Sequence, residues 1–317
     1  MLVTQPRIAT VLNHSRRTSS SINGIYVTTV FLVACMVAAC SSPQTLFARR
    51  AAAAGITATP VQGTNFTHLV YQRADDKQPT SADFVLVFIE GDSAWVNDKP
   101  IYVYDGDTRN AGIVYTKRPA QDPTPRHPLA FNLMLKTSQP AWYVTRPCSN
   151  GLRDAACSER VWTYARYSSQ VVESMATAIT QYANTQAVQR LVLVGYSGGG
   201  TLAVLLAARL PQTIGVISIA ANLDTQAWTT TMHFDPLLDS LNPAVDLSIL
   251  SISHITLVGD EDVQVPFSTV ARFLVTQPQT VVTHYAGYDH VCCWEENWPG
   301  ILAAALAQFS VVDARRE

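Results

Sequence analysis

Lysine is scarce in this 317-residue chain: Lys77, Lys99, Lys117 and Lys136 are all there are. Charged residues make up 15% and the formal net charge is −2. No basic excess is present to neutralise phosphates, which excludes nucleic acid as the main partner. A 48% hydrophobic fraction with so little net charge also excludes a disordered chain. Acidic residues are missing from the whole start of the sequence: the first is Asp75, whereas Arg7, Arg16, Arg17, Arg49, Arg50 and Arg73 precede it. No C-x-x-C pair occurs and the seven histidines are scattered, so no metal site is expected. There is no internal repeat. What is there is enough apolar chain to bury a substantial core, within the size range of one α/β domain.

A basic, acid-free start reads as a targeting segment. The apolar run Ile25–Cys40 is 16 residues long, short of the about 20 that span a bilayer. It suits a signal-peptide core better than a spanning helix, although an uncleaved anchor is the competing reading. Its end, Val37-Ala38-Ala39-Cys40, resembles the lipobox of bacterial lipoproteins, in which the cysteine is acylated and becomes the first residue; Leu32-Val33-Ala34-Cys35 has the same form but cuts the run short. The expected organisation is therefore a lipoprotein signal peptide over 1–39, a lipidated tether over 40–64 and a single α/β domain over 65–314. The tether reading rests on Ser, Ala, Thr, Gln and Gly between 41 and 63, with Pro43 and Pro60. Export to the cell envelope with a lipid anchor is implied. Ser41 in place of Asp favours the periplasmic side of the outer membrane.

Six cysteines are present. In an exported chain the four beyond the leader meet an oxidising compartment. They allow three pairings. Cys148 and Cys157 bracket a short loop containing Asn150-Gly151, where a local bridge closes easily. Cys292 and Cys293 are adjacent, and a bond between neighbours is strained.

Continuous apolar runs mark strands buried on both faces of a parallel sheet. They are Phe84–Ile89, Ala141–Thr145, Leu191–Val194, Ile214–Ile219, Ile255–Val258 and Thr280–Tyr285, with Phe66–Tyr71 as an alternating edge strand. Helical patterns lie between them: one following Ser168-Ser169, then Thr201–Leu210, Phe267–Val275 and Pro299–Val311. Alternation of the two predicts an α/β fold with a mostly parallel sheet and helices on both faces. The stretch from about 96 to 118, with Asp105-Gly106 between two short runs, reads as a hairpin excursion.

The segment Gly195-Tyr196-Ser197-Gly198-Gly199 follows a predicted strand and opens a predicted helix. That setting lifts a serine hydroxyl out of a tight turn at the carboxyl end of the sheet. A serine needs a base and an orienting acid to act as a nucleophile. Downstream histidines are His233, His254, His284 and His290. His254 opens a strand at the wrong end, His284 lies inside one, and His233 is placed to line a pocket. His290 follows the last strand, where the base belongs. The acid is expected after the preceding strand, where Asp260, Glu261 and Asp262 compete, with Asp224 as an outside candidate. Two backbone amides are needed for a developing oxyanion: that of Gly198, and one from Gly91 or Asp92 after the first buried strand. Glu90 and Asp92 are expected to turn their carboxylates away. Trp95, Tyr102, Tyr104, Trp228, Phe234 and Trp294 are read either as core and loop residues or as an apolar pocket.

Gly195–Gly199, Gly259-x-x-Asp262-x-x-Val265-Pro266 and Gly287-x-x-His290, in that order, resemble the α/β-hydrolase superfamily over roughly residues 66–312. The resemblance places the acid three residues past the glycine, at Asp262. Ile89-Glu90-Gly91-Asp92, Asp122-Pro123-Thr124-Pro125, Arg146-Pro147-Cys148 and Trp162–Ser168 are similar to a poorly characterised group of Gram-negative α/β-hydrolase lipoproteins, relative to which 96–118 looks like an insertion. The resemblance implies a fold and a serine-hydrolase chemistry using Ser197, His290 and Asp262 and no cofactor, but no substrate; small-molecule acyl esters or thioesters are the expected substrates. The alternatives are a serine peptidase or amidase of the same fold, or a catalytically silent envelope lipoprotein used for binding.

Overall fold

A computed structural model of the chain describes residues 42–74, 84–93, 95–104 and 111–313, with the main chain alone at 95–104, 111–119 and 310–313. The chain divides into two units, Met1–Ser42 and Pro43–Glu317, and the described elements belong to the second. The segment expected to be a leader and both candidate lipobox cysteines, Cys35 and Cys40, lie outside the described residues.

The strands are β1 (Ile56–Gln62), β2 (Thr67–Arg73), β3 (Val85–Ile89), β4 (Trp95–Tyr104), β5 (Ala111–Pro119), β6 (Ala141–Val144), β7 (Leu191–Tyr196), β8 (Thr213–Ile219), β9 (Ser253–Gly259) and β10 (Val281–Tyr285). Eight form one sheet in the order β1-β2-β6-β3-β7-β8-β9-β10. From β6 to β10 every neighbouring pair is parallel. β1 and β2 add an antiparallel edge. Residues of β3, β6, β7 and β9 are buried throughout, the condition that unbroken apolar runs anticipate. Successive side chains enter opposite layers. Val85, Val87 and Ile89 of β3 join one core with Leu191 and Leu193. Leu86 and Phe88 join the other with Val192 and Val194.

The first layer is closed by Ser169–Thr185, a helix whose Ser168 Oγ accepts from the Val171 amide at 3.3 Å, a side-chain cap for an otherwise orphaned donor. The helix Gly198–Ala207 lies in the same layer. The opposite layer holds Phe47 and Ala51 of α1 (Pro43–Ala53), the helix α2 (Leu129–Leu135) and the long C-terminal helix Trp294–Asp313. β4 and β5 pair antiparallel as a separate two-stranded sheet; the residues between them, with Asp105-Gly106, lie outside the described set.

Three readings of the sequence change. Residues 43–62, read as tether, form α1 and β1, so β1 is the edge and β2 is an inner strand. The composition misled because β1 is an exposed edge strand, buried chiefly at Ile56, while α1 contributes little more than Phe47 and Ala51. The last helix begins at Trp294 and contains Pro299, rather than starting there. Proline favours a first helical turn, but burial of Trp294 and Trp298, both 0% exposed, sets the true start.

Candidate active site

β3 and β7 pair in register Ile89↔Gly195, so the loop after β3 stands beside the end of β7. The chain moves from β3 to β6 on one side and from β7 to β8 on the other, which opens a crevice at the strands' carboxyl ends. Ser197 sits at that point, between β7 and the helix Gly198–Ala207, with φ 52° and ψ −126°. A left-handed φ on a serine is strained, and it is held by the Ser197 amide donating to the Ile219 carbonyl at 2.8 Å. The flanking glycines follow from crowding. A Cβ at Gly195 would overlap the Gly199 carbonyl, and one at Gly199 would overlap the Ile89 carbonyl.

The loops after β9 and β10 are tied together before either supplies a side chain. The Asp260 amide donates to the Tyr285 carbonyl at 3.1 Å and the Glu261 amide to the Tyr288 carbonyl at 2.9 Å. This lock brings Asp262 and His290 into contact: His290 Nδ1 lies 2.8 Å from Asp262 Oδ2. His290 Nε2 is 3.1 Å from Ser197 Oγ. The second oxygen of Asp262 accepts from the amides of Gln264 and Val265, each at 2.8 Å. Asp262 and His290 are both buried, and the Tyr196 ring lies 5.2 Å from the imidazole. Hydroxyl, imidazole and carboxylate form one hydrogen-bonded series, so a proton leaving Ser197 Oγ can pass to an imidazole whose other nitrogen already faces a carboxylate.

The competing acids are engaged elsewhere. Asp260 lies with Oδ1 2.8 Å from His284 Nδ1 in a half-exposed pair. Glu261 is exposed. Asp224 is buried, caps the helix Thr225–Thr231 through the Ala227 amide at 3.1 Å and pairs with Arg272. Arg272, with Asn242 and the Ala227 amide, holds its carboxyl below the usual range against burial. His254 is buried against Ser218 Oγ at 2.9 Å, and burial lowers it to about 3.

Gly198 begins its helix, where first-turn amides have no intrahelical partner. Of the two other amides considered, that of Gly91 is turned toward Glu90 Oε1 at 3.3 Å. Glu90 points away from the crevice: its carboxyl also accepts from Ala130 and Phe131, at 3.3 and 3.4 Å, at the start of α2. Burial pushes it up to about 7. Asp92 is held by Arg146, Arg166 and the Tyr167 hydroxyl. These three were not singled out from the sequence as site residues, although each lies in a segment that had drawn attention.

A cleft of about 600 Å³ opens on Ser197 and His290, with Trp228, Met232, Phe234 and Leu237 on its walls and His233 among them. A second, of about 510 Å³, reaches the same pair from the side of Asp122 and Arg126. Gln264, which drew no notice in the sequence, borders both. Trp294 is fully buried, which is the core reading of the two offered for it. Side chains of Trp95, Tyr102 and Tyr104 lie outside the described set. Cys148 is bonded to Cys157 and Cys292 to Cys293. Among the described residues no group of His, Cys, Asp or Glu could hold a metal ion, and no helix is long and apolar enough to cross a membrane.

No protein-family model matches the sequence, and no curated protein shows significant similarity to it. Solved structures do match in shape. Puromycin hydrolase superposes with a TM-score of 0.56 at 15% identity, over 82% of this chain and 39% of that one. An esterase from Pyrococcus furiosus gives 0.54 at 8% identity, over 82% and 92%. The proline iminopeptidase-related protein from Thermus thermophilus gives 0.53 at 12%, over 81% and 99%. The chain thus spans well under half of puromycin hydrolase and nearly all of the other two. The architecture is the α/β-hydrolase fold.

Proposed function

We propose that the chain is a serine hydrolase that cleaves carboxylic esters or thioesters of small molecules. The observation that carries this reading is the hydrogen-bonded series Ser197–His290–Asp262 at a strained strand-to-helix turn that opens into the cleft. Ser197 Oγ attacks the carbonyl carbon while its proton moves to His290 Nε2. The tetrahedral oxyanion is met by the amides of Gly198 and Asp92. The bond to the leaving oxygen or sulfur then breaks, and the leaving group takes the proton from Nε2. Water attacks the acyl-serine as His290 accepts its proton, the acid departs, and Ser197 recovers its hydrogen. Asp262 faces the imidazolium and orients it. The apolar and aromatic wall of the larger cleft favours an apolar acyl group. We further infer from Val37-Ala38-Ala39-Cys40 that the mature protein is anchored in the bacterial envelope through an acylated Cys40.

The test is Ser197→Ala on a panel of activated esters of increasing chain length, with amides alongside, and labelling by a fluorophosphonate. Loss of both ester turnover and labelling, with an unchanged melting curve, is expected. Turnover near wild type in the alanine variant would overturn the reading, and preferential cleavage of amides would make the chain a peptidase or amidase instead.

A further inference from the structure

Three segments distant in sequence converge beside the candidate oxyanion site. Asp92 follows β3, Arg146 follows β6, and Arg166 and Tyr167 precede the helix Ser169–Thr185. Arg146 Nη1 pairs with Asp92 Oδ1. Arg166 Nη1 reaches Asp92 Oδ2 at 2.7 Å, and the Tyr167 hydroxyl donates to the same oxygen at 2.6 Å. The cluster is cross-tied: Arg146 Nη2 donates to the Arg166 carbonyl at 3.2 Å, Arg166 Nε to the Thr163 carbonyl at 2.5 Å, and Asn222 Nδ2 to the Tyr167 hydroxyl at 3.3 Å. The guanidinium side chains are 12% and 5% exposed, and Tyr167 is fully buried.

Desolvating such a cluster costs about what its pairing returns. Stability alone therefore gives little reason for it. Its position does. A Cβ at Gly198 would overlap both Asp92 Oδ1 and the Tyr167 hydroxyl, so the carboxylate lies directly against the residue that follows the nucleophile. A bare carboxylate there would oppose a negative charge growing on the substrate oxygen. With two guanidiniums on it, the charge is more than cancelled. Fixing its side chain also fixes the main chain of Asp92.

We propose that Arg146, Arg166 and Tyr167 are positioning residues for the oxyanion hole: they hold Asp92 so that its amide stands beside that of Gly198, and they cancel its charge there. This rests on the serine-hydrolase reading above. Cys148–Cys157 belongs to the same device, because the bridge closes the loop between the two arginines.

The test uses Arg146→Gln, Arg146→Lys and Tyr167→Phe in the full chain, with kcat, KM and inhibition by an alkyl trifluoromethyl ketone. That inhibitor adds to a serine hydroxyl and places an oxyanion in the hole. Arg146→Gln should lower kcat by about 100-fold, the loss typical of one oxyanion donor, with KM within about threefold. Inhibitor affinity should fall in parallel. Arg146→Lys should recover part of the loss, because charge returns without the planar fork. Tyr167→Phe should lower kcat and inhibitor affinity by about tenfold, as for a hydrogen bond to a charged group. If Arg146→Gln fails to fold, Tyr167→Phe decides alone. A loss confined to KM, or unchanged inhibitor affinity, overturns the inference. Wild-type kcat in these variants while Ser197→Ala is dead would remove this inference only; activity in Ser197→Ala would remove the reading beneath it.

Discussion

Two neighbouring aspartates show how much a single residue's surroundings decide. Asp260 and Asp262 are chemically identical, yet one faces a half-exposed histidine and the other a buried one. Asp262→Asn keeps the acceptor for the Gln264 and Val265 amides but offers His290 Nδ1 a donor, which forces the wrong tautomer. A fall in kcat of up to about 10⁴ is expected. Asp260→Asn breaks only an exposed pair, worth under about 1 kcal/mol, and steady-state kinetics should show near-wild-type turnover. The reverse ranking would show that Asp260 is the acid. Glu90 carries a different consequence. Burial raises it from 4.5 to about 7, so between those values the folded chain binds more protons than the unfolded one. Its contribution to stability is complete below pH 4.5 and is lost as pH rises through about 7. Glu90→Gln is neutral in both states; its one oxygen keeps the Gly91 and Ala130 amides, and the bond from Phe131 to the other oxygen is lost at every pH. Relative to wild type, the variant should gain about 3 kcal/mol between pH 4.5 and 8, read from urea unfolding midpoints. Parallel pH curves for the two proteins would refute it.

At the level of elements, α1 is the clearest case of structure that composition hides. It has one strong anchor. The Phe47 ring lies 4.7 Å from Phe131, 5.2 Å from Tyr71 and 5.5 Å from Tyr143, and is 3% exposed. Phe47→Ala should destabilise the chain by about 3 to 5 kcal/mol, the usual cost of removing a buried phenyl ring. A change below about 1 kcal/mol in chemical denaturation would mean that α1 is not docked in solution. The strands β3, β6, β7, β8 and β9 were legible because both faces are buried and the apolar runs are unbroken. β1 was not, because an exposed edge strand carries alternating polar residues like those of a linker.

For the molecule as a whole, the fold is carried by the described residues and the proposed membrane address by the residues before them. The described part carries no helix suited to crossing a bilayer; the attachment proposed above is acylation at Cys40, outside the described residues. Acyl chains contribute about 0.8 kcal/mol per buried CH₂, and one chain alone holds only reversibly. Cys40→Ser in the full precursor should abolish palmitate incorporation and move the protein out of the membrane fraction. Labelled palmitate in that variant would reject the assignment.

Sequence alone determined the alternation of strands and helices, the serine at its turn, and the order serine, acid, histidine. These are local: apolar runs, glycine spacing and position relative to a strand end are written in neighbouring residues. The resemblance to a known superfamily singled out Asp262 from its competitors, and the lock between the β9 and β10 loops is what brings it to His290. Two other matters were decided by tertiary structure alone. The carboxyl of Glu90 caps α2, forty residues away in sequence. Arg146, Arg166 and Tyr167 meet Asp92 across 54, 74 and 75 residues. A buried charge recruits whatever partners the fold brings within about 3 Å of it, and no spacing in the chain records that meeting.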